Sequence, residues 1–212
     1  MPSTISLRDE LGGIDIYLLD QILRGRIDAS DVVLDAGCGM GRNLKYLMTA
    51  GSRILAADAD ADAIASVRTL AAECGAVARI DARIEAVEAL SFPDASATVV
   101  ISSAVLHFAR DEAHFDAMVR SMWRCLAPGG LFFARLATTI GAEYVGATRL
   151  AERIYRLGDG TRRFLADETM IDALTTDLGG QLADPLKTTI VQAQRCMTTW
   201  VARKSRPGER RS

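Results

Sequence analysis

The chain alternates short apolar runs rich in β-forming residues with longer segments whose apolar residues recur at helical spacing. The first five β-type runs cover 31–37, 52–58, 76–84, 96–103 and 131–137. Helical segments lie between the first and second runs, between the second and third, and between the fourth and fifth. Alternation of this kind is typical of βαβ units, which require a mostly parallel sheet with right-handed crossovers. The sequence therefore predicts an α/β protein, with ligands at the carboxyl ends of its strands.

The rhythm changes after the fifth strand. Residues 138–164 have a helical middle and a glycine-rich, basic end, and are interpreted as a lid insertion. Asp167 is the expected N-cap of a following helix. Two strands close together in sequence, 182–189 and 194–204, then favour an antiparallel pair at the sheet edge.

We expect one domain and no internal repeat. The domain covers 1–204, beginning with a helical cap over 1–30, and the tail 205–212 is expected to be disordered. No stretch approaches the ~18 unbroken apolar residues of a membrane span. The first residues carry no basic and apolar leader, so a cytoplasmic protein is expected.

Composition excludes several classes of function. The 212 residues carry a net charge of −2, which gives no basic footprint for nucleic acid. The four cysteines lie far apart without a CxxC pair, and there are only two histidines, so no metal site is expected. We therefore expect a small-molecule partner, with no nucleic acid or membrane, in a monomer or homodimer.

The stretch "VLDAGCGMGRN", residues 33–43, places three glycines within five positions between a strand and a helix. Such a turn allows close backbone approach and presents N–H groups to a ligand. A dinucleotide site is one alternative, since Asp58 lies 21 residues after Gly37. However, the spacing is GxGxG, and Arg42 stands where the third fingerprint glycine belongs. The carboxylate of Asp35 would also repel a pyrophosphate, whereas it would attract an ammonium or a sulfonium.

This stretch resembles motif I of the class I methyltransferases that use S-adenosylmethionine, and Asp58 in "ILAADAD" matches their acid after the second strand. "EALSFPDASATVVISSAVLHF" and "WRCLAPGGLFFARL" are similar to the family's regions around the fourth and fifth strands. The resemblance runs from about residue 30 to residue 137. It implies a Rossmann-like three-layer sandwich, with a seven-stranded, mostly parallel sheet that ends in an antiparallel hairpin.

Position by position, the resemblance assigns cofactor contacts to this sequence. The methionine moiety falls to the turn residues Asp35, Ala36, Gly37, Cys38 and Gly39, with the carboxylate of Asp35 near the amino group. Asp58, beside Ala59, would take both ribose hydroxyls, because a carboxylate has two accepting oxygens. Ser103 and Ala104, after the fourth strand, would lie beside the methionine portion and the sulfonium.

Other contacts match the family less directly. Ala86 stands where the family often has an acid for the adenine amino group, so that role falls to Glu85 or to backbone near Val87. Tyr17 and Arg42 are candidates for contacting the cofactor carboxylate or covering the pocket. Arg42 fits a surface residue at a helix start equally well.

Methyl transfer from a sulfonium is an in-line displacement, so the protein mainly aligns donor and nucleophile. His107, just past the fourth strand, is the candidate catalytic residue, with a structural histidine as the alternative. His114 is expected to be solvated. Arg162 and Arg163, together with Arg135, could steer an anionic substrate, although exposed arginines are commonly only solvated.

The sequence therefore predicts an S-adenosylmethionine-dependent methyltransferase that acts on a small molecule and releases S-adenosylhomocysteine. An NAD(P)-dependent oxidoreductase and a non-catalytic cofactor-binding module of the same fold stay open as alternatives. The sequence does not identify the acceptor atom, whether it is oxygen, nitrogen, sulfur, carbon or a metalloid.

Overall fold

The structure, a computed structural model, describes residues 6–192, 195–206 and 208. The chain forms two compact units, Met1–Val87 and Glu88–Ser212. Among the described residues, no helix is long and apolar enough to cross a membrane. Within the same residues, no group of three or more His, Cys, Asp or Glu side chains could hold a metal ion. The tail predicted over 205–212 lies outside the described residues, except for positions 205, 206 and 208.

Helices and parallel strands alternate in the first unit, as predicted. Its elements are α1 (Leu7–Leu11), α2 (Ile16–Leu23), β1 (Val32–Ala36), α3 (Lys45–Ala50), β2 (Arg53–Asp58), α4 (Ala61–Glu73) and β3 (Ile80–Ile84). β2 lies between β1 and β3 and pairs with both in parallel, with Val33 opposite Ile54 and Ile54 opposite Ile80. The apolar stripe of α4 is buried at Ile64 and Val67.

The third strand is shorter than the predicted run over 76–84. Residues Val77–Arg79 form a turn of 3₁₀-helix, and the strand begins at Ile80. The guanidinium of Arg79 donates to the backbone oxygens of Ser52 and Met48 at 3.0 and 3.1 Å. These bonds hold Arg79 against Ser52, the residue before β2, and against Met48 on α3.

The second unit combines parallel and antiparallel strands. Its elements are β4 (Ala97–Ser103), α5 (Glu112–Cys125), β5 (Leu126–Leu136), β6 (Thr148–Arg149), β7 (Ile154–Arg156), β8 (Arg162–Phe164), α6 (Glu168–Asp177), β9 (Gly180–Leu182), β10 (Lys187–Val191) and β11 (Arg195–Lys204). β4 pairs with β5 in parallel, and β11 pairs antiparallel with β5, β9 and β10. Each of the seven predicted strands is therefore present, and β6, β7, β8 and β9 are additions.

The helices of the second unit begin as the sequence predicts and pack through aromatic residues. Asp111 caps α5 and Asp167 caps α6, each accepting a hydrogen bond from a backbone N–H three residues later. The ring of Phe132 on β5 contacts those of Trp123 and Trp200, with centroids 5.7 and 5.0 Å apart. These contacts place α5 and β11 on β5.

The fifth strand starts earlier than predicted. "APGG" is predicted to close the preceding helix ahead of a strand over 131–137, but β5 begins at Leu126, directly after α5. The pairing of β4 with β5 has an irregularity between Ala97 and Val99. A Cβ at Gly130 would lie 2.7 Å from the backbone oxygen of Thr98. The glycine therefore allows a close approach of two strands rather than a helix stop.

The helical middle predicted for residues 138–164 is wrong. This segment contains a 3₁₀ turn, Ala142–Val145, followed by the antiparallel three-stranded sheet β6-β7-β8. Gly141 and Gly146 flank the turn with φ of 78° and 64°, which stops helical propagation in both directions. The apolar spacing that suggested a helix instead buries side chains such as Tyr155 against a small cluster around Leu165.

Candidate cofactor turn and acceptor cavity

The glycine turn after β1 is bonded to the end of β2. The backbone N–H groups of Gly37 and Cys38 donate to the backbone oxygen of Ala57 at 2.8 and 3.0 Å. Gly39 N–H donates to the carboxylate oxygen Oδ2 of Asp58 at 2.8 Å. Gly37 and Gly39 have φ of 77° and 52°, in the left-handed region that glycine adopts most easily. The turn therefore has one defined backbone conformation.

Two glycines of the turn have different surroundings. A Cβ built on Gly39 meets nothing within 4 Å, so this side of the turn is open. A Cβ on Gly41, where φ is 80°, would lie 3.1 Å from Leu70 and 3.2 Å from Val67 on α4. Gly41 therefore serves packing, whereas Gly39 leaves room for a ligand to reach the backbone.

Asp35, near the end of β1, is a buried acid with one unsatisfied oxygen. Asp35 is only 1% exposed, and its Oδ2 has no hydrogen-bond partner among the described residues. Burial raises the pKa of Asp35 to about 7, with Arg42 lowering the pKa and Asp58 raising it. Buried carboxylates without partners are costly. The free oxygen therefore fits a ligand that brings a cationic donor, such as an ammonium group.

Asp58, at the end of β2, has a fixed carboxylate. In addition to the bond from Gly39, its Oδ1 accepts a hydrogen bond from the N–H of Asp60 at 3.0 Å. Each carboxylate oxygen has a second lone pair, so the partly exposed side chain can still accept from two hydroxyl groups. Ala59, the next residue, is exposed.

Arg42 and Tyr17 belong to a polar network that sequence reasoning missed. Nη2 of Arg42 lies 3.7 Å from Oδ2 of the buried Asp15. Asp15 caps α2 by accepting from the N–H of Tyr17 at 3.0 Å, and its own N–H donates to Oδ1 of Asn43. The network ties α2 to the segment after the glycine turn. The N-cap residue type at the start of an apolar-periodic helix was the available signal for Asp15.

The remaining predicted residues of the first unit flank the turn or follow β3. Ala36 and Cys38 are buried, and burial, followed by the charges of Asp35 and Asp58, raises the pKa of the Cys38 thiol. This thiol is therefore a small spacer rather than a nucleophile. Glu85 N–H donates to the backbone oxygen of Asp58 at 3.0 Å. Val87 is buried.

In the second unit, the end of β4 has an unusual backbone. Ser103 is its last residue and is buried. Ala104 follows with φ of 68°, and its N–H donates to the backbone oxygen of Arg135 at 2.7 Å. A left-handed conformation at a non-glycine residue costs of order 1 kcal/mol and occurs often at functional sites.

His107 is buried and already engaged by the backbone. Its Nδ1 accepts a hydrogen bond from the N–H of Ala137 at 3.3 Å, so the neutral ring carries its hydrogen on Nε2. Burial and, to a smaller extent, the charge of Arg163 lower the pKa of His107 to about 4. At neutral pH the ring is therefore uncharged, and its one accepting nitrogen is occupied.

The predicted solvation of His114 is wrong. Its Nε2 lies 3.0 Å from Oε1 of Glu88, and its Nδ1 accepts from the backbone N–H of Arg110 at 3.1 Å. The side chain is only 11% exposed. The polar face of α5 is thus covered at this position by the segment that carries Glu88.

A basic cavity, here called the arginine cavity, lies beside His107 and has a volume of about 350 Å³. Its lining consists of His107, Phe108, Ala109, Arg110, Ile154, Arg162, Arg163 and Phe164. The guanidinium of Arg163 stacks over the ring of Phe108 at 4.6 Å from the ring centroid. The structure therefore brings together His107, Arg162 and Arg163 as lining residues. Arg135 is not part of this lining.

Comparison with known proteins places these features in a family. Residues 34–134 match the family described as "Methyltransferase domain". The ubiquinone biosynthesis O-methyltransferase of Methylocella silvestris is 32% identical over 165 residues, which cover 73% of this chain and 62% of that protein. The curated relatives are longer than the matched segment, which spans between 35% and 62% of their lengths.

Solved structures share the fold. A methyltransferase from Methanosarcina mazei superposes with a TM-score of 0.72 at 19% identity, covering 87% of this chain and 97% of that one. The 1,6-didemethyltoxoflavin-N1-methyltransferase of Burkholderia thailandensis, solved with S-adenosylhomocysteine bound, has a TM-score of 0.67 at 20% identity. The match covers 89% of this chain and 76% of the Burkholderia chain.

The described helices and strands form a Rossmann-like α/β fold, which these solved methyltransferases share. The match to the methyltransferase-domain family covers residues 34–134, which are 101 of the 212 residues. The predicted fold class is confirmed. The match over residues 34–134 supports the predicted methyltransferase family.

Proposed function

We propose that this chain transfers the methyl group of S-adenosylmethionine to a small-molecule acceptor. The observation that carries the proposal is the buried carboxylate of Asp35, whose Oδ2 has no partner among the described residues. A dinucleotide would bring a pyrophosphate to this turn, and that anion would be repelled by the carboxylate. The amino group of S-adenosylmethionine would instead neutralise it.

The residues of the first unit fit this cofactor in three ways. Asp35 would accept hydrogen bonds from the amino group, and the open side of Gly39 would let the methionine portion approach the backbone. Asp58 would accept from both ribose hydroxyls while its bonds to the turn hold it in place. Glu85 and Val87 are proposed for the adenine, and Ser103 and Ala104 for the methionine portion. When bound, the cofactor supplies an activated methyl carbon on a sulfonium.

Tyr17 and Arg42 are proposed to act near the cofactor carboxylate through the network around Asp15. Arg42 has 49% of its side chain exposed, so one face of its guanidinium can meet a ligand carboxylate while Asp15 holds the other. Ala59, which is exposed after Asp58, is proposed only as a neighbour of the ribose.

His107 is proposed to position the acceptor as a hydrogen-bond donor through Nε2. The bond from Ala137 occupies Nδ1, and a pKa lowered to about 4 makes the ring a weak base at neutral pH. An acceptor that is already ionised, or a soft nucleophile such as a thiol, needs no base for in-line displacement. These acceptors therefore fit the site better than an unactivated alcohol.

The small-molecule acceptor is supported by two observations. The segment 138–164, proposed as a lid, contributes Ile154, Arg162 and Arg163 to a cavity of about 350 Å³, which matches a small ligand better than a polymer. Proteins similar to this chain are named for ubiquinone biosynthesis and for toxoflavin methylation.

Calorimetric titration with S-adenosylhomocysteine, and separately with NAD, tests the cofactor on wild type and on Asp35→Asn. We expect S-adenosylhomocysteine alone to bind, and Asp35→Asn to weaken it by about tenfold through loss of one charge-assisted bond. Asp62→Asn, an exposed acid on α4, is the matched control and should bind like wild type. Binding of NAD alone would overturn the proposal.

Turnover requires a second assay, because binding does not establish transfer. The full chain is incubated with methyl-labelled S-adenosylmethionine and a panel of thiol, phenol, amine and carboxylate acceptors. Label appearing in one acceptor class supports the methyltransferase. Cofactor binding without label in any class would favour the non-catalytic module.

A further inference from the structure

The arginine cavity has an unusual balance of charge. Three of its lining residues, Arg110, Arg162 and Arg163, are cationic, and none is acidic. Among the described residues, none of these three guanidinium groups forms an ion pair within 4.0 Å. The guanidinium of Arg163 stacks on the ring of Phe108 and donates a hydrogen bond to the backbone oxygen of Arg162. Among the described residues, the positive charge of the cavity wall is therefore not held in close ion pairs.

The nearby acids are mostly engaged with other groups. Arg153 pairs with Glu112 and Asp167. Glu88 lies against His114, although its carboxylate also feels the charge of Arg110. The remaining acids of this neighbourhood are Asp111, which caps α5, Glu152, which lines an adjoining cavity that also contains Arg110, and Asp159, which accepts from Thr161 and lies within electrostatic reach of Arg163. A ligand anion would therefore compete with few strong internal pairs.

The other walls of the cavity are apolar. Phe108 has 58% of its surface exposed, which is high for a phenylalanine, and Ile154 and Phe164 complete the apolar side. Arg163 over the Phe108 ring presents a flat cationic surface, which favours planar groups. The volume of about 350 Å³ is near the lower end of ligand pockets, so it suits one or two rings.

We propose that the arginine cavity binds the methyl acceptor through an anionic group, a carboxylate or a phosphate attached to a planar apolar body. The assignment of this ligand as the methyl acceptor rests on the proposed function, whereas the anion site itself rests on the cavity alone. Arg163 forms a bidentate contact with the anionic group of the ligand, and Arg110 and Arg162 add positive electrostatic potential. The ring of Phe108 packs against the planar body of the ligand. The acceptor is then an organic acid.

The binding test uses the full chain with benzoate and phenyl phosphate as probes and benzamide as the uncharged match for benzoate. Calorimetry is carried out with and without S-adenosylhomocysteine. We expect both anions to bind and benzamide to bind at least about tenfold more weakly, because only the anions form charge-assisted bonds. The ratio of the benzoate and phenyl phosphate affinities identifies which anionic group the cavity prefers.

Two variants distinguish binding by the cavity arginines from attraction by the general surface charge. Arg163→Gln removes the stacked guanidinium, and Arg156→Gln removes an equal charge from Arg156, the cross-strand partner of Arg162 that does not line the cavity. Arg163→Gln should weaken benzoate by about tenfold, and Arg156→Gln by less than about twofold. The ring proton signals of His107 provide a second readout, since an anion beside it should raise its pKa.

The outcomes are separable. Equal binding of benzoate and benzamide, no binding of either anion, or equal effects of the two variants would overturn the proposal. If benzoate behaves as expected but S-adenosylhomocysteine does not bind, the anion site stands and its role as an acceptor site fails with the proposed function. If S-adenosylhomocysteine binds and the anions do not, the proposed function stands without an organic acid as substrate.

Discussion

The glycine turn and the arginine cavity hold their charges in opposite ways. In the turn, successive N–H groups of Gly37, Cys38 and Gly39 donate to Ala57 and Asp58, and the acid beside them is buried. In the cavity, Arg162 and Arg163 extend from the three-residue strand β8 and Arg110 extends from a loop, and their side chains have few bonds. One region is fixed by its backbone, and the other is defined by its side chains.

This difference suggests how one fold can keep its methyl donor while its acceptor changes. A backbone turn closed by hydrogen bonds recognises one ligand and tolerates few substitutions. A cavity lined by side chains on short strands can change its specificity without moving the backbone. Substitutions in the turn should therefore affect affinity and stability together, whereas substitutions in the cavity should affect ligand choice alone.

The largest effect should come from Asp58→Ala. The variant loses both proposed ribose contacts and the bonds from Gly39 and Asp60, so S-adenosylhomocysteine affinity should fall by about a hundredfold. The free energy of unfolding should also fall, by about 2 kcal/mol. Calorimetry and urea denaturation measure the two quantities. Asp62→Ala, an exposed acid on the neighbouring helix, should leave both nearly unchanged, and an equal loss there would contradict the assignment.

A pair of glycine substitutions tests whether backbone and ligand roles can be separated within the turn. Gly39→Ala should lower the free energy of unfolding by about 1 kcal/mol, through its positive φ, yet weaken S-adenosylhomocysteine more than about tenfold by filling the open side. Gly41→Ala should cost about 3 kcal/mol, because its Cβ would press on Leu70 and Val67. Should Gly39→Ala bind normally, the open side of the turn would not be a ligand site.

The turn could be predicted from sequence because its determinants are local. Three glycines behind a run of β-formers, and an acid at the end of the next strand, specify positive φ and the carboxylate position within about two dozen residues. The alternation of apolar runs likewise predicted the five parallel strands, β1 to β5. Neither inference required knowledge of contacts between distant segments.

The cavity could not be predicted in the same way. Its lining joins residues 107–110 to 154–164, and the second range was predicted to be helical in part. Periodicity cannot distinguish a short apolar strand from a helical turn, and Gly141 and Gly146 decide the outcome through their backbone angles. Arg162 and Arg163 were noticed as charges, but Arg110 carried no local signal. The partner of Arg42, the buried Asp15, also lies too far along the chain to be read from spacing.

A pH titration sharpens the contrast between the buried acid and the exposed cations. Because the folded-state pKa of Asp35 is raised from 3.8 to about 7, the ligand-free protein should lose stability as the pH rises from about 4 to about 7. S-adenosylhomocysteine should show the opposite trend, since its ammonium needs the ionised carboxylate. Its affinity should rise up to about tenfold per pH unit until about pH 7 and then level off.

Asp35→Asn provides the control for both trends. The amide cannot ionise, so the stability change between about pH 4 and pH 7 and the rise in affinity should both flatten. Urea denaturation and calorimetry at matched ionic strength measure the two trends. A wild-type affinity that does not change with pH would show that Asp35 does not meet the ammonium group.

The smallest effect concerns the electrostatic field in the cavity. Burial is the larger cause of the lowered pKa of His107, and the charge of Arg163 is the second. Arg163→Gln should therefore raise the pKa of His107 from about 4 only part of the way toward 6.5, and Arg156→Gln should change it less. Ring-proton NMR titration measures this pKa. If both variants shift it equally, the positive field is a property of the whole surface; a shift confined to Arg163→Gln places the charge at the cavity wall, where a small anion would meet it.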